Sequence, residues 1–228
     1  MPLASAPTPA DRNTVNELSE WEFQRRFGTV APMTLPGVRA LFKGAPFTWW
    51  VVGGWSLEID ARHAGRTEPL RHHIDLDVAF PRSDVPAVRA WLADWHIWEA
   101  HQGMRPLLPA DEPREGGEQW WLRRDAWSPW VLDLLLTPVE GEDWLFKKDH
   151  RVRRPLATVV RHDADGTPYQ APEVTLLFKA FLDRPKDLVD LEATWPWLDV
   201  AAREWLRSSV ELALPTSTWA TRLATLPG

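Results

Sequence analysis

The stretch that most constrains this chain runs from residue 47 to residue 82, where FTWWVVGG, WSLEIDARHAG and HIDLDVAF follow one another in order. The first piece is β-branched and aromatic and closes on Gly53 and Gly54, which predicts a buried strand ending in a tight turn. The second spaces Trp55, Ile59 and His63 as one face of a helix does, and Gly65 supplies a stop. The third, residues 73–80, alternates as a strand, with Ile74, Leu76 and Val78 on one face and Asp75, Asp77 and Ala79 on the other. Two carboxylates on one strand face repel each other. The fold must offer them a counter-charge, and a cation is the first candidate.

The rest of the chain sorts into two textures. Residues 1–14, rich in Pro, Ala and Thr, read as a disordered tail. Residues 15–44 read as two helical pieces around a Pro-containing turn. SDVPAVRAWLADW reads as a helix with Ser83 as its N-cap. HIWEAHQ, EQWWLRRD and PWVLDLLLTP (129–138) read as strands, and VRRPLATVVRHDADGTPYQ as an extended piece with a hairpin turn at Asp165-Gly166. After Pro172 come four helical segments. The expectation is an α+β protein: a mixed sheet flanked by helices over residues 15–170, then a helical bundle over 171–228.

Composition removes several classes. The 228 residues contain no cysteine, which excludes disulfides, thiolate zinc sites and cysteine nucleophiles together and fits a cytoplasmic protein. No apolar run approaches the length that crosses a bilayer, and the first residues show no secretory pattern. A formal charge of −6 argues against broad nucleic-acid binding, leaving only a local basic patch as a route to it. The sixteen tryptophans are mainly a packing resource. In the pairs 49–50 and 120–121, strand alternation turns one ring to the core and leaves its neighbour free to face a pocket. Apolar strand edges permit a monomer or a homodimer.

Three carboxylates interrupt apolar strands: Asp75, Asp77 and Asp133. Burying one without a partner costs several kcal/mol or forces it to hold a proton. A strand ending in Gly53-Gly54 and feeding a helix presents backbone N–H groups suited to a phosphate. Beside an Asp-x-Asp pair, such a cradle suits metal-assisted phosphoryl or nucleotidyl transfer, because Mg²⁺ takes one or two carboxylates and completes its shell with phosphate and water. Asp133 then binds a second metal or takes a proton from an attacking hydroxyl; the bland readings are an edge Asp in solvent or one paired to an arginine. Ser56 contacts a phosphate or caps the helix. His72 and His73 lack a third histidine for a zinc or iron site, so His73 reads as an orienting or phosphate-contacting residue, or as simple packing.

VVGGWSLEIDAR, the following Gly-Arg, RHHIDLDVAFP and the later VLDLLL resemble the nucleotidyltransferase superfamily that includes DNA polymerase β, and within it the small aminoglycoside 2″-adenylyltransferases. Gly53, Gly54 and Trp55 match the glycine motif, Asp60, Ala61 and Arg62 the helix after it, Arg71 and His73 the residues before the carboxylates. The resemblance makes Asp75 and Asp77 metal ligands and Asp133 a third ligand or general base. In residues 169–191, Lys179, Lys186, Asp187 and Asp190 match a Lys…Lys-Asp-x-x-Asp segment of related enzymes, with the lysines placed to meet nucleotide phosphates; a solvated helix face is the other reading of Asp187 and Asp190. The stretch before Asp75 is longer than in those enzymes, at HAGRTEPL, and residues 95–128 show no acceptor pattern. The resemblance implies transfer of a nucleoside monophosphate, AMP from ATP or another nucleoside triphosphate, with one or two Mg²⁺, to a hydroxyl of a small molecule such as an aminoglycoside, whose positive charges would suit an acidic pocket. Two alternatives keep the fold: a toxin-like enzyme acting on tRNA or protein through a basic groove at Arg123, Arg124 and residues 147–154, or a nucleotide-binding relative without turnover.

Overall fold

The computed structural model describes residues 20–227; the tail expected at 1–14 and the start of the first helical piece, 15–19, lie outside them. Helices α1 (Glu20–Phe27) and α2 (Leu35–Leu41) come first, the second capped by Thr34, whose hydroxyl accepts the Gly37 N–H at 3.2 Å. Strand β1 (Trp50–Val52) runs directly into α3 (Gly53–His63). Then follow β2 (Asp77–Pro81), α4 (Val85–Trp91), β3 (His96–Ala100), β4 (Met104–Pro106), β5 (Gln119–Arg123) and β6 (Leu132–Thr137). Short strands β7 (Val139–Glu140), β8 (Asp143–Leu145) and β9 (Arg153–Pro155), the single turn α5 (Leu156–Val159), and β10 (Val160–His162) and β11 (Pro168–Gln170) complete the strand-rich part. The chain ends in α6 (Pro172–Leu182), α7 (Pro185–Thr194), α8 (Val200–Ala213) and α9 (Thr218–Thr225).

Among the described residues eight strands form one mixed sheet in the order β10-β11-β1-β2-β6-β5-β3-β4, and β7, β8 and β9 form a small antiparallel one. β1 and β11 are parallel, as are β2 and β6; every other pairing in the large sheet is antiparallel. Register decides which side chains share a face. One row across the sheet is Val51, Val78, Leu134 and Trp120; it is buried against α2 and α4 through Leu35, Val38, Phe42, Val88 and Leu92. The adjacent row is Val52, Asp77, Asp133, Trp121 and Trp98. On this second face Trp50, Val52 and Ala79 pack beneath the C-terminal helices through Leu176, Leu177, Leu206 and Trp219. The helices therefore share a core with the sheet. The rest of that face, from Asp77 outward, is the floor of a cleft.

The core is carried by large rings. Trp50, Trp120, Trp144 and Trp219 are all fully buried. An aromatic side chain buries ~150–250 Å², which at ~25 cal/mol per Å² is roughly 4–6 kcal/mol each before conformational entropy is charged against it.

Two local expectations change. β2 begins at Asp77, four residues later than the alternation suggests, because β1 has only three residues and its last pair is Val52 with Asp77. Beyond that pair the partner chain has turned into α3, so residues 73–76 have no ladder to join on that side, and Ile74 is 45% exposed rather than in the core. Ser83 does not cap α4: it lies inside a 3₁₀ turn, Arg82–Asp84, and Asp84 is the residue that precedes the helix.

Candidate active site

The glycine turn is where β1 meets β2. Gly53 has φ +65°, a conformation that side chains disfavour, and a Cβ there would overlap the Asp77 carboxylate. A Cβ on Gly54 would strike the His73 ring and the Arg71 guanidinium. Both glycines are thus required by close approach: one lets Asp77 lie on the backbone, the other lets Arg71 and His73 close over the start of α3. Val52, at the N-cap of that helix, offers no side-chain acceptor, so the first-turn N–H groups beside the cleft are capped by no side chain there.

Asp77 and Asp133 are direct partners in the parallel β2–β6 register, with the Asp133 N–H donating to the Leu76 carbonyl at 2.9 Å. Their carboxylates share one patch of the cleft floor. Asp133 accepts a 2.6 Å hydrogen bond from Gln119 Nε2. Burial, reinforced by the negative charge of Asp75, pushes Asp77 up to about 7; Lys179, Lys186 and Arg184 pull the other way and lose. Burial and then the charges of Asp77 and Asp75 lift Asp133 well above the ordinary carboxylate range. Asp75 sits on the cleft rim, exposed, its backbone carbonyl held by Trp55 Nε1 at 2.9 Å. Among the described residues no three His, Cys, Asp or Glu side chains converge as a ready-made metal site. The Asp77–Asp133 pair with Asp75 above it is an oxygen-only donor set, under electrostatic stress that a divalent cation relieves, and it fits Mg²⁺ completed by phosphate and water.

The facing wall is helical. Lys179 of α6, 4% exposed, lies 2.6 Å from Asp190 and 3.4 Å from Asp187, both on α7 and both buried. Asp190 also pairs with Arg71 at 3.1 Å, and Asp187 accepts from the Arg184 backbone N–H and side chain. The solvated-face reading of Asp187 and Asp190 is therefore overturned. The hydrogen bonds and charge of Arg184 and Lys179 hold Asp187 below the usual carboxylate range in spite of its burial. Lys186 also lines the cleft and has no ion-pair partner among the described residues; burial, with Arg184 and Arg71 nearby, lowers its pKa.

Two sequence-named residues are placed behind the cleft instead of in it. The Ser56 hydroxyl is fully buried, 2.9 Å from the Gly53 carbonyl and 2.8 Å from the Thr175 hydroxyl, so its side chain braces the turn against α6 and is not presented to a phosphate. His73 Nε2 lies 2.8 Å from Glu58, and its ring packs on Trp55; burial lowers its pKa, favouring a neutral ring that donates to Glu58. Sequence reasoning missed Glu58. That buried carboxylate on α3 also accepts the backbone N–H groups of Leu70 and Arg71 at 3.0 and 3.3 Å, anchoring the long loop that carries Arg71. Gln119 and Arg184 were missed as well. Gln119 was legible as the residue two before Trp121 on one strand face, and Glu58 as a charge in an otherwise apolar helix turn. The matched Asp60 lies elsewhere, accepting from Trp197 Nε1 at 3.0 Å and from Tyr169 and Arg161 at 3.3 Å.

The cleft holds about 810 Å³, within the range of small-molecule sites. Its charge is not that of the chain: among the described residues seven Lys or Arg and three Asp line it, which corrects the expectation of an acidic pocket. In the basic run 147–154, Lys147 and Lys148 line the cleft, and each Lys and Arg has a carboxylate partner. Lys147 and Lys148 pair with Glu118, Arg151 with Asp149, Arg153 with Glu140 and Asp143, and Arg154 with Glu173. Arg123 lies over Trp98 and Trp130, and Arg124 over Trp95. No helix among the described residues is long and apolar enough to cross a membrane.

Glycine turn, carboxylate row and helical wall define the fold of a nucleotidyltransferase. Residues 34–107, which span α2 to β4, match the family model of aminoglycoside-2″-adenylyltransferase. Among solved structures, the crystal structure of ANT(2″)-Ia in complex with adenylyl-2″-tobramycin is similar over 77% of this chain and 94% of that one, with 14% identity and a TM-score of 0.50. The solution structure of the antibiotic-resistance factor ANT(2″)-Ia aligns over 77% and 88%, with 17% identity and a TM-score of 0.48. The Megavirus polyadenylate synthase aligns over 87% of this chain and 40% of its own, at 13% identity and a TM-score of 0.41. No curated protein matches the sequence. The chain thus has the fold and, over residues 34–107, the sequence pattern of a nucleotidyltransferase enzyme.

Proposed function

We propose that the protein transfers a nucleoside monophosphate, AMP from ATP in the first instance, to a hydroxyl of a small molecule in the cytoplasm. The observation that carries this reading is the parallel pairing of Asp77 with Asp133 directly over the Gly53 turn. Asp75, Asp77 and Asp133 would hold one or two Mg²⁺, which when bound supplies charge neutralisation for the triphosphate and the transferring phosphoryl group. The N–H groups of Gly53 and Gly54 and the charges of Arg71 and Lys186 bind the phosphates; Lys179, already held by two aspartates, supports them from behind. Where Asp133 does not hold a second metal, its ionised carboxylate, oriented by Gln119, is the group placed to accept the proton of the attacking hydroxyl. The hydroxyl oxygen forms its bond to the α-phosphorus as the bond to the β-phosphate oxygen breaks, and pyrophosphate leaves. The family match makes an aminoglycoside the first acceptor to test.

The test is calorimetric titration of a non-hydrolysable ATP analogue, with and without Mg²⁺, into wild type and Asp77→Asn. Mg²⁺-dependent binding that weakens at least tenfold in the variant is expected. Absence of nucleotide binding, or binding indifferent to both Mg²⁺ and Asp77, sinks the proposal.

A further inference from the structure

We infer that Trp55 is a positioning residue: its indole N–H holds the Asp75 carbonyl where strand pairing has run out, and so keeps the Asp75 carboxylate at the cleft. The inference rests on the transfer reading above, in which Asp75 is a metal ligand, and names what fixes that ligand in place. The antiparallel register that pairs Trp50 with Ala79 and Val52 with Asp77 would, two residues further, set Gly54 opposite Asp75. It stops short of that. Gly53 and Gly54 already belong to α3, and β2 begins only at Asp77. On its other edge the segment is tied by a backbone bond from the Asp133 N–H to the Leu76 carbonyl at 2.9 Å. A tie at Leu76 alone would leave the exposed Asp75 free to turn. Trp55 reaches back from the first turn of α3, and its Nε1–H donates to the Asp75 carbonyl at 2.9 Å, an ordinary hydrogen-bond length.

The indole is itself held. Its ring centroid lies 5.4 Å from that of His73, with the planes 38° apart, and His73 Nε2 lies 2.8 Å from the buried Glu58 carboxylate, one turn further along α3. A Cβ on Gly54 would strike the His73 imidazole, so the glycine admits the ring against which Trp55 rests. Glycine, imidazole and indole thus form a chain that ends on the Asp75 backbone. What it protects is geometry. Mg²⁺ demands near-ideal octahedral placement of its oxygens, so a carboxylate that can turn away retains the ion less well than one whose backbone is fixed. A neutral hydrogen bond of this kind is worth about fivefold in an equilibrium constant.

The test compares the full wild-type chain with Trp55→Phe, which keeps an aromatic ring against His73 and removes the donor. Without ligand, backbone order parameters of residues 74–76 should fall from about 0.85 towards about 0.6 in the variant, with those of β1 and β6 unchanged. Mg²⁺ is then titrated into each protein with a non-hydrolysable ATP analogue. Half-saturation should need about three- to tenfold more Mg²⁺ in the variant, while affinity for the analogue at saturating Mg²⁺ stays within about twofold. A residue that only packs would move the melting temperature, or the affinity at every Mg²⁺ concentration, and not the half-saturation alone. Unchanged order parameters, or an unchanged half-saturation, overturns the inference. A wild type that binds the analogue without regard to Mg²⁺, or not at all, counts against the transfer reading instead; the order parameters then decide by themselves whether Trp55 holds the segment.

Discussion

Two pairs of aspartates, one on the cleft floor and one buried behind its helical wall, have opposite fates. Asp187 and Asp190 are buried, yet Lys179, Arg71 and Arg184 surround them with charge-assisted hydrogen bonds, and Asp187 is held below the usual carboxylate range. Asp77 and Asp133 are pressed together by strand register with one amide donor, Gln119, and, among the described residues, no guanidinium or ammonium within ion-pair distance, and both are pushed upward. The difference separates structure from chemistry. A buried carboxylate with its counter-charge built in holds the fold together; a half-buried pair without one stores repulsion that a bound cation and its phosphates can relieve.

The contrast predicts opposite stability effects for the same kind of substitution. Asp190→Asn leaves Arg71 without its carboxylate and Lys179 with only the 3.4 Å contact to Asp187, and should destabilise by about 3–5 kcal/mol in denaturant titration. A loss of under 1 kcal/mol would break the comparison. Asp77→Asn should instead stabilise the metal-free protein at pH 8, on the order of 1–3 kcal/mol, while nucleotide transfer is lost. The window follows from the sign of the shift. The folded protein keeps a proton on Asp77 up to about pH 7, whereas the unfolded chain releases it near the ordinary value of about 3.9. Folded-state stability of the wild type therefore falls as pH rises from about 4 to 7, and the gain from Asp77→Asn should be larger at pH 8 than at pH 5. Melting temperatures of both proteins across that range, with and without Mg²⁺, check this; a gain that does not change with pH contradicts it.

The smallest effect sharpens the same comparison from the loop side. Glu58→Gln keeps the shape but weakens the hold on His73 and on the Leu70 and Arg71 amides, at a cost of about 1–2 kcal/mol. If Glu58 positions Arg71 for the triphosphate, KM for the nucleotide should rise severalfold with kcat little changed. An unchanged KM assigns Glu58 to folding alone.

Much of the frame was legible in the primary structure because it rests on short-range rules. The strand into Gly53-Gly54, the helix after it, the strand bearing Asp77 and the four helices after Pro172 follow from periodicity and from glycine and proline chemistry. Asp133 stood out because a charge in WVLDLLL needs a reason. The first residues of the expected strand at 73–76 and the cap at Ser83 were misjudged, and the choice between a phosphate contact and a cap for Ser56 was left open. In each case the deciding partner lies far away in sequence or is used up by a neighbour: β1 too short to pair with 73–76, a 3₁₀ turn around Ser83, and the Thr175 hydroxyl opposite Ser56.

What the sequence determined by itself was the class of chemistry: a glycine turn and carboxylates spaced by two residues are local features, and local geometry fixes what they can bind. Tertiary structure alone decided which charges are neutralised and what stands beside the carboxylate pair. Register across three strands sets Asp77 against Asp133 and Asp133 against Trp121, and the packing of α7 on α6 spends Lys179 on two aspartates. Net charge could not foretell a cleft richer in cations than in carboxylates, because composition counts charges without saying which of them face one another.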